Sequence, residues 1–246
     1  MLDIEGLATG FGGNTVLHGL DFHVRQGEVA GLLGLNGAGK SVTMKVIAGL
    51  VPAWEGRVLL EGRDLSALGA EERVEAGLGH VTQGRGVFGH LTVEQNLRLG
   101  AYVVRRRNRA RYEPLLVAMY DRFPQLAERR EQLAGGMSGG EQAMLAVARA
   151  LMSDPRMLLI DEPSAGLAPA IIGDLVQLLR DVNRSGVTVL LVEQNISFAL
   201  DVCDRVNVLQ NGAIVHAGDV ATIDRESLAG YLGIGRLLSK RVGVAR

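Results

Sequence analysis

The apolar positions change period along the chain, and the changes divide it into elements. Leu17–Val24 roughly alternates, as in a half-buried strand, and Val29-Ala30-Gly31-Leu32-Leu33 is a short apolar run suited to a strand covered on both faces. Arg57–Leu60 predicts another strand with Glu61-Gly62 as its turn, and Met44–Leu50, closed by Gly49 and Pro52, predicts a short helix. From about Thr92 to Leu151 the pattern is helical, with charged faces and few β-branched runs. Strand signals return at Met157–Ile160, Val187–Val192 and Val206–Leu209, the first two separated by helically spaced apolar residues from Ile171 to Val182. This alternation predicts a parallel α/β sheet with helices on both faces. Asn211-Gly212, between Val206–Leu209 and Ile214–His216, predicts a hairpin turn. With no internal repeat, low-complexity tract or Pro-rich linker, the simplest architecture is one α/β core with an inserted helical subdomain.

Composition narrows the function classes. A chain of 246 residues can bury a substantial core as one large domain. Glycine, 33 residues or about 13%, is nearly twice as frequent as usual, so tight turns and close backbone approaches are expected. Lys+Arg of 26 against Asp+Glu of 27 gives no global case for nucleic acid binding. A lone cysteine, Cys203, cannot form an internal disulfide and leans towards a reducing compartment; its apolar helical surroundings predict a core position. No apolar run approaches the roughly 18 residues of a membrane span, and Met1-Leu2-Asp3-Ile4-Glu5 lacks the basic start of a signal peptide. A soluble, cytoplasmic protein is expected.

Three constellations carry chemistry. Gly34-Leu35-Asn36-Gly37-Ala38-Gly39-Lys40-Ser41 is a complete G-x-x-x-x-G-K-[ST] loop between a buried-strand signal and a helix. Its glycines let backbone N–H groups close around an anion at a helix N-terminus, Lys40 would reach the β- and γ-phosphates, and Ser41 would ligate Mg²⁺. Met157-Leu158-Leu159-Ile160-Asp161-Glu162 is an apolar strand ending in two carboxylates that point to opposite sides, so Asp161 can serve the metal shell while Glu162 acts on water as general base. An Asp-Glu pair alone is an ordinary cap or loop; about 120 residues after a phosphate loop it is a catalytic candidate. Met137-Ser138-Gly139-Gly140-Glu141-Gln142 opens an amphipathic helix with a Ser138/Glu141 capping box. Two glycines in a first turn weaken a helix but suit close approach of backbone to a phosphate.

Together these segments resemble the ATP-binding subunits of ABC transporters, the Met-Ser-Gly-Gly-Glu signature being close to diagnostic, and the resemblance runs from Phe11 to about Gly233. It implies a P-loop core of ABC ATPase type with an N-terminal antiparallel β-subdomain: residues 1–83 and 152–235 as core, 84–151 as the helical subdomain, and 236–246 as a tail. It also implies ATP and Mg²⁺ as cofactors, held at Gly34, Asn36, Gly37, Ala38, Gly39, Lys40, Ser41 and Val42. Phe11 resembles the aromatic that stacks on adenine, usually Tyr, with Val16 beside the ribose. Gln83 resembles the glutamine that touches Mg²⁺ and links core to helical region. In that family two copies enclose two ATP molecules, so Ser138, Gly140 and Glu141 would meet the γ-phosphate held by the opposite subunit. The partners implied are a second copy or sister ATPase subunit, integral membrane permeases and, indirectly, a solute-binding protein, which places the chain on the inner face of the cell membrane.

Two positions depart from most relatives: Ala168 stands where an Asp contacts the partner subunit, and Gln194 where a His contacts the γ-phosphate. Glutamine can donate a hydrogen bond but cannot titrate. With Glu193-Gln194-Asn195, Leu167-Ala168-Pro169, the segment from Gln83 to Leu97 and Tyr231-Leu232-Gly233, these features are similar to the smaller ATPase subunit of branched-chain amino acid importers; urea and short-chain amide importers share nearly the same pattern. A soluble ABC ATPase of DNA repair or translation usually has two ATPase halves or long insertions, and a P-loop kinase or GTPase has no use for Ser-Gly-Gly-Glu. The dense basic run Arg105–Arg111, with five arginines in seven residues, reads as a solvated helix face without interleaved aromatics for nucleic acid.

Overall fold

A computed structural model describes residues 1–84 and 86–232. Arg85, Gly233 and the expected tail 236–246 lie outside the described residues. In chain order the strands are β1 (Leu2–Phe11), β2 (Asn14–Val24), β3 (Val29–Leu33), β4 (Glu55–Leu60), β5 (Arg63–Asp64), β6 (Leu78–Val81), β7 (Met157–Asp161), β8 (Thr188–Glu193), β9 (Arg205–Gln210) and β10 (Ala213–Asp219). The α-helices are α1 (Lys40–Ile47), α2 (Ala70–Glu75), α3 (Val93–Gly100), α4 (Tyr102–Arg107), α5 (Tyr112–Arg122), α6 (Pro124–Glu128), α7 (Gly139–Leu151), α8 (Pro169–Arg184), α9 (Ile196–Val202) and α10 (Arg225–Tyr231). They form two compact units, 1–67 with 191 onward, and 68–190.

In the first unit an antiparallel sheet has the order β2-β1-β4-β5. Leu2 faces Val24 on one side and Leu60 on the other, and the alternation in β2 buries Leu17, Leu20, Phe22 and Val24 while exposing Asp21 and His23. The same unit holds β10-β9-β3, in which β3 runs parallel to β9 and β10 returns antiparallel. Asn211 (φ 49°) and Gly212 (φ 74°) make the expected hairpin turn, both residues in the left-handed region that such a turn demands. Every residue of β3 is buried, which is why its sequence is continuous rather than alternating. Helix α1 starts four residues before the expected Met44, because Gly39 serves as its N-cap and the carbonyl of Gly39 accepts both the Thr43 N–H (2.9 Å) and its hydroxyl (3.0 Å). Cys203, at the C-terminus of α9, is buried as expected, and burial pushes its thiol pKa up.

In the second unit β6 runs parallel to β7, Val81 facing Ile160, and β7 is buried throughout. The stretch from Val93 to Leu151 is helical as its period predicts, and α8 buries Leu175, Leu179 and Val182 at helical spacing. The basic run is exposed from Arg105 to Arg111, as expected of a solvated face. At that surface Arg106 pairs with Glu71 (2.9 Å) and Glu75, Arg107 with Glu75 (2.8 Å), and Arg111 with Asp154 (2.5 Å), because the acids of α2 and of the turn before β7 face it.

His80, inside β6, is the polar exception: its Nε2 is buried without a hydrogen-bond partner, and desolvation lowers its pKa from 6.5 to about 4. The unfolded chain therefore takes up a proton at His80 below pH 6.5 while the folded one does so only near pH 4. Stability from this group is complete above pH 6.5 and lost as pH falls towards 4, by about 3 kcal/mol in total. Urea unfolding between pH 7 and 4.5 should show a steeper acid loss for the parent than for His80→Leu; parallel curves would contradict this.

Candidate functional site

The phosphate loop occupies the first unit between β3 and α1. Gly37 (φ 83°) and Gly39 (φ 108°) adopt left-handed conformations that L side chains resist, and this is how the loop turns its backbone. Gly34 is fixed by proximity instead, since a Cβ there would lie 2.5 Å from the Leu209 carbonyl oxygen. The loop is tied to the β9–β10 hairpin. Ala38 O accepts the Gly212 N–H at 2.9 Å, and Gly212 O accepts the His18 N–H of β2 at 3.0 Å. Leu35, Asn36 and Gly37 face solvent, Ala38 to Lys40 are buried, and Ser41 and Val42 are half-buried in the first turn of α1. The buried Lys40 Nζ donates to the carbonyls of Gly34 (2.9 Å) and Leu35 (3.1 Å). The loop thus holds its own ammonium beside the backbone that would meet phosphate. Phe11 ends β1 with 52% of its surface exposed, leaving an aromatic face available, while Val16 in β2 is half-buried.

In the second unit Asp161 ends β7 and is buried, while the next residue, Glu162, is half-buried with φ 47°. A non-glycine residue in that region costs about 1–2 kcal/mol, a strain found where a side chain must be aimed. Glu162 Oε2 accepts a 2.8 Å hydrogen bond from Gln83 Nε2, so the structure brings together two of the expected catalytic residues that are 79 positions apart. The amide keeps its carbonyl oxygen, the end a hard cation prefers.

Ser138 caps α7 through both halves of a capping box: Ser138 Oγ accepts the Glu141 N–H (3.3 Å), and Glu141 Oε2 accepts the Ser138 N–H (2.8 Å). The backbone and hydroxyl of Ser138 hold the Glu141 carboxyl below its usual pKa, and Arg129 pairs with it at 3.2 Å. Glu141 is committed to ordering the helix start. Gly140 is buried against α8, where a Cβ would fall 2.6 Å from Ile171 Cγ2, so helix packing alone requires glycine there. After β8, the buried Glu193 accepts the N–H groups of Gln194 (3.0 Å) and Asn195 (3.1 Å), and Asn195 caps α9 through the Phe198 N–H. The cap belongs to Asn195, and Gln194 is exposed.

Sequence reasoning assigned no task to the side chains of Glu193, Asn96 and Arg149. Asn96, fully buried, bonds the N–H and C=O of Phe88 and the carbonyls of Leu91 and Thr92. Arg149 donates to Gly86 O at 2.7 Å and lies 5.1 Å from the Phe88 ring centre. Together they hold the segment that follows Gln83. The available signal was a polar residue on the apolar face of an amphipathic helix.

A phosphate loop on a strand–helix junction, a Ser-capped Gly-Gly helix start and a glutamine-bound acid after a buried strand define a P-loop nucleoside triphosphatase. The family model described as ABC transporter matches residues 17–165, and the chain belongs to that family. It is 43% identical over 87% of its length to the high-affinity branched-chain amino acid transport ATP-binding protein BraG of Pseudomonas aeruginosa, covering 91% of that protein. It is 35% identical to the probable branched-chain amino acid transport ATP-binding protein LivF of Archaeoglobus fulgidus (89% and 92% covered). It is also 31% identical to the lipopolysaccharide export system ATP-binding protein LptB of Haemophilus influenzae (95% and 97% covered). Among solved structures, the ADP conformation of MJ1267, an ATP-binding cassette of an ABC transporter, matches with TM-score 0.81 at 27% identity, covering 99% of this chain and 98% of that one. The chain is an ATP-hydrolysing subunit of an ABC transporter. No helix among the described residues is long and apolar enough to cross a membrane.

The hairpin contact gives a direct test. A Cβ at Gly212 would fall 2.0 Å from Val16 O, whereas one at Gly62, also at positive φ (77°), meets nothing within 4 Å. Thermal and urea unfolding should find Gly212→Ala less stable than Gly62→Ala by about 2 kcal/mol or more. Equal losses would show that the loop does not depend on this approach.

Proposed function

We propose that the chain powers import of branched-chain amino acids, as one ATPase subunit of a pair docked on membrane permeases at the inner face of the cell membrane. The observation that supports the solute is the 43% identity to BraG across most of both chains; the import branch also accounts for Gln194 and Ala168. Urea and short-chain amide import stay as the neighbouring reading. Likeness to LptB at 31% supports an export reading, which a different membrane partner would reveal.

In the proposed cycle ATP lies on the phosphate loop, its triphosphate among the backbone N–H groups of Gly37 to Ser41 with Lys40 exchanging the loop carbonyls for phosphate oxygens. Phe11 stacks on the base and Val16 flanks the ribose. The donor set suits Mg²⁺: the Ser41 hydroxyl, the Asp161 carboxylate and the Gln83 carbonyl are hard oxygens, and a phosphate-bound Mg²⁺ takes few protein ligands. When bound, Mg²⁺ would neutralise charge developing on the phosphates. Glu162 accepts a proton from the attacking water, and Gln83, bonded to it at 2.8 Å, holds the carboxylate in place. Ser138 and the backbone around Gly140 meet the γ-phosphate of the opposite subunit, with Glu141 shaping that helix start. Gln194 donates a hydrogen bond to the γ-phosphate of the ATP on its own chain's phosphate loop.

Glu162→Gln should retain ATP binding, slow turnover by about 10²–10⁴-fold and shift to a dimer with ATP on size-exclusion chromatography. No shift would exclude the homodimer, and co-purification of a sister ATPase subunit with the permeases would identify a heterodimer. Lys40→Ala should lose nucleotide affinity, whereas Ser138→Ala should bind normally and fail to hydrolyse; equal losses of affinity would contradict the division of labour.

The Gln194 assignment is checked by turnover at saturating ATP from pH 6 to 8. Gln194→His should stay active, while Gln194→Ala should lose about 10²-fold or more, as when one preorganised donor is removed. The parent rate should carry no titration from this position. Because Asn195 makes the cap, melting temperatures should be unchanged. A folded Gln194→Ala protein as active as the parent ends the assignment.

A further inference from the structure

In unit 68–190 a cavity of about 270 Å³ lies where α4 approaches α2 and the turn before β7. None of its lining residues belongs to the phosphate loop, the Ser-Gly-Gly-Glu segment or the acids after β7. Its wall is of two kinds. Val74, Val103 and Val104 supply apolar surface, and three arginines, Arg107, Arg111 and Arg156, supply guanidinium groups.

The arginines are held in place before any ligand arrives. Arg107 donates to the Glu75 carbonyl (2.5 Å) and carboxylate (2.8 Å), and Arg111 pairs with Asp154 at 2.5 Å. Arg156 lies over Gly77, where a Cβ would sit 3.0 Å from its Nε, and donates to Ala76 O at 3.3 Å. Both carboxylates of the lining are already matched, Glu75 by Arg106 as well as Arg107. The wall sets three guanidinium groups against two carboxylates. A guanidinium has five N–H donors, so Arg107 and Arg111 retain capacity for the oxygens of an anion.

Size and polarity then select the anion. A dry cavity of roughly 150 Å³ holds a benzene ring, so 270 Å³ takes on the order of ten heavy atoms, far fewer than a nucleotide has. Inorganic phosphate would leave the valines uncovered. We infer that this cavity binds a short aliphatic carboxylate, its anionic end on the arginines and its hydrocarbon end on Val74, Val103 and Val104. The site is an effector site by position, since it shares no residue with the proposed ATP machinery.

The test is calorimetric titration of the full chain, carrying Glu162→Gln and saturated with ATP so that the phosphate loop is filled. The probes are 3-methylbutanoate, acetate, inorganic phosphate and 3-methylbutan-1-ol. The expected result is saturable binding of 3-methylbutanoate, at least tenfold weaker binding of the other three, and at least tenfold loss in Arg156→Gln and Arg111→Gln at unchanged ATP affinity. Acetate or phosphate binding as tightly as 3-methylbutanoate would overturn the selection by the valines. Absence of 3-methylbutanoate binding would overturn the site. Should either variant fold poorly, the comparison of the four probes on the parent decides.

Discussion

The hydrogen bond from Gly212 N–H to Ala38 O ties the phosphate loop to a hairpin formed more than 170 residues later, and the first unit is arranged around that contact. Backbone N–H groups that converge on an anion are a poor arrangement without one, since their dipoles repel. The loop keeps the shape because its left-handed glycines remove the steric objection and its outer edge is held by β9, β10 and β2. Lys40 answers the remaining need by donating to the loop's own carbonyls. In the proposed cycle phosphate oxygens would take the place of those carbonyls on a loop already shaped for them.

A similar economy holds in the second unit. The strained backbone at Glu162 and the Gln83 amide act on the same carboxylate, one from the chain and the other through space. Asn96 and Arg149 then order the segment after Gln83, so a glutamine on an exposed loop is nonetheless anchored a few residues downstream by buried and aromatic contacts. Movement of that segment would carry Gln83 with it. This gives the chain a physical route by which displacement of that segment can bear on the Glu162 carboxylate.

Much of this was legible in the residues. Continuous apolar runs at Val29–Leu33 and Met157–Ile160 announce strands buried on both faces, because no polar side chain could be placed on either side. Asn211-Gly212 announces its hairpin because few residues tolerate two successive left-handed positions. The phosphate loop and the capping box at Ser138 are equally local, their chemistry lying within eight residues and four residues of chain.

Other features belong to the tertiary structure, for one reason: they depend on residues that the sequence separates. Helix α1 starts at Lys40 because the phosphate loop leads directly into it with Gly39 as cap. That Gly140 must also be glycine to pack against Ile171 of α8 is visible only in the folded chain. The arginines of 105–111 read as a solvated face and are one, but which carboxylates pair with them, on α2 and at Asp154, is set by the fold. The depressed pKa of His80 follows from its burial within β6, which no local pattern announces. Local periodicity and turn chemistry are set by neighbours a few bonds away, so the sequence alone determined the elements and the nucleotide chemistry. Ion pairing, desolvation and backbone contact are set by neighbours in space, so only the folded chain decided which charges are matched and which glycines are obligatory.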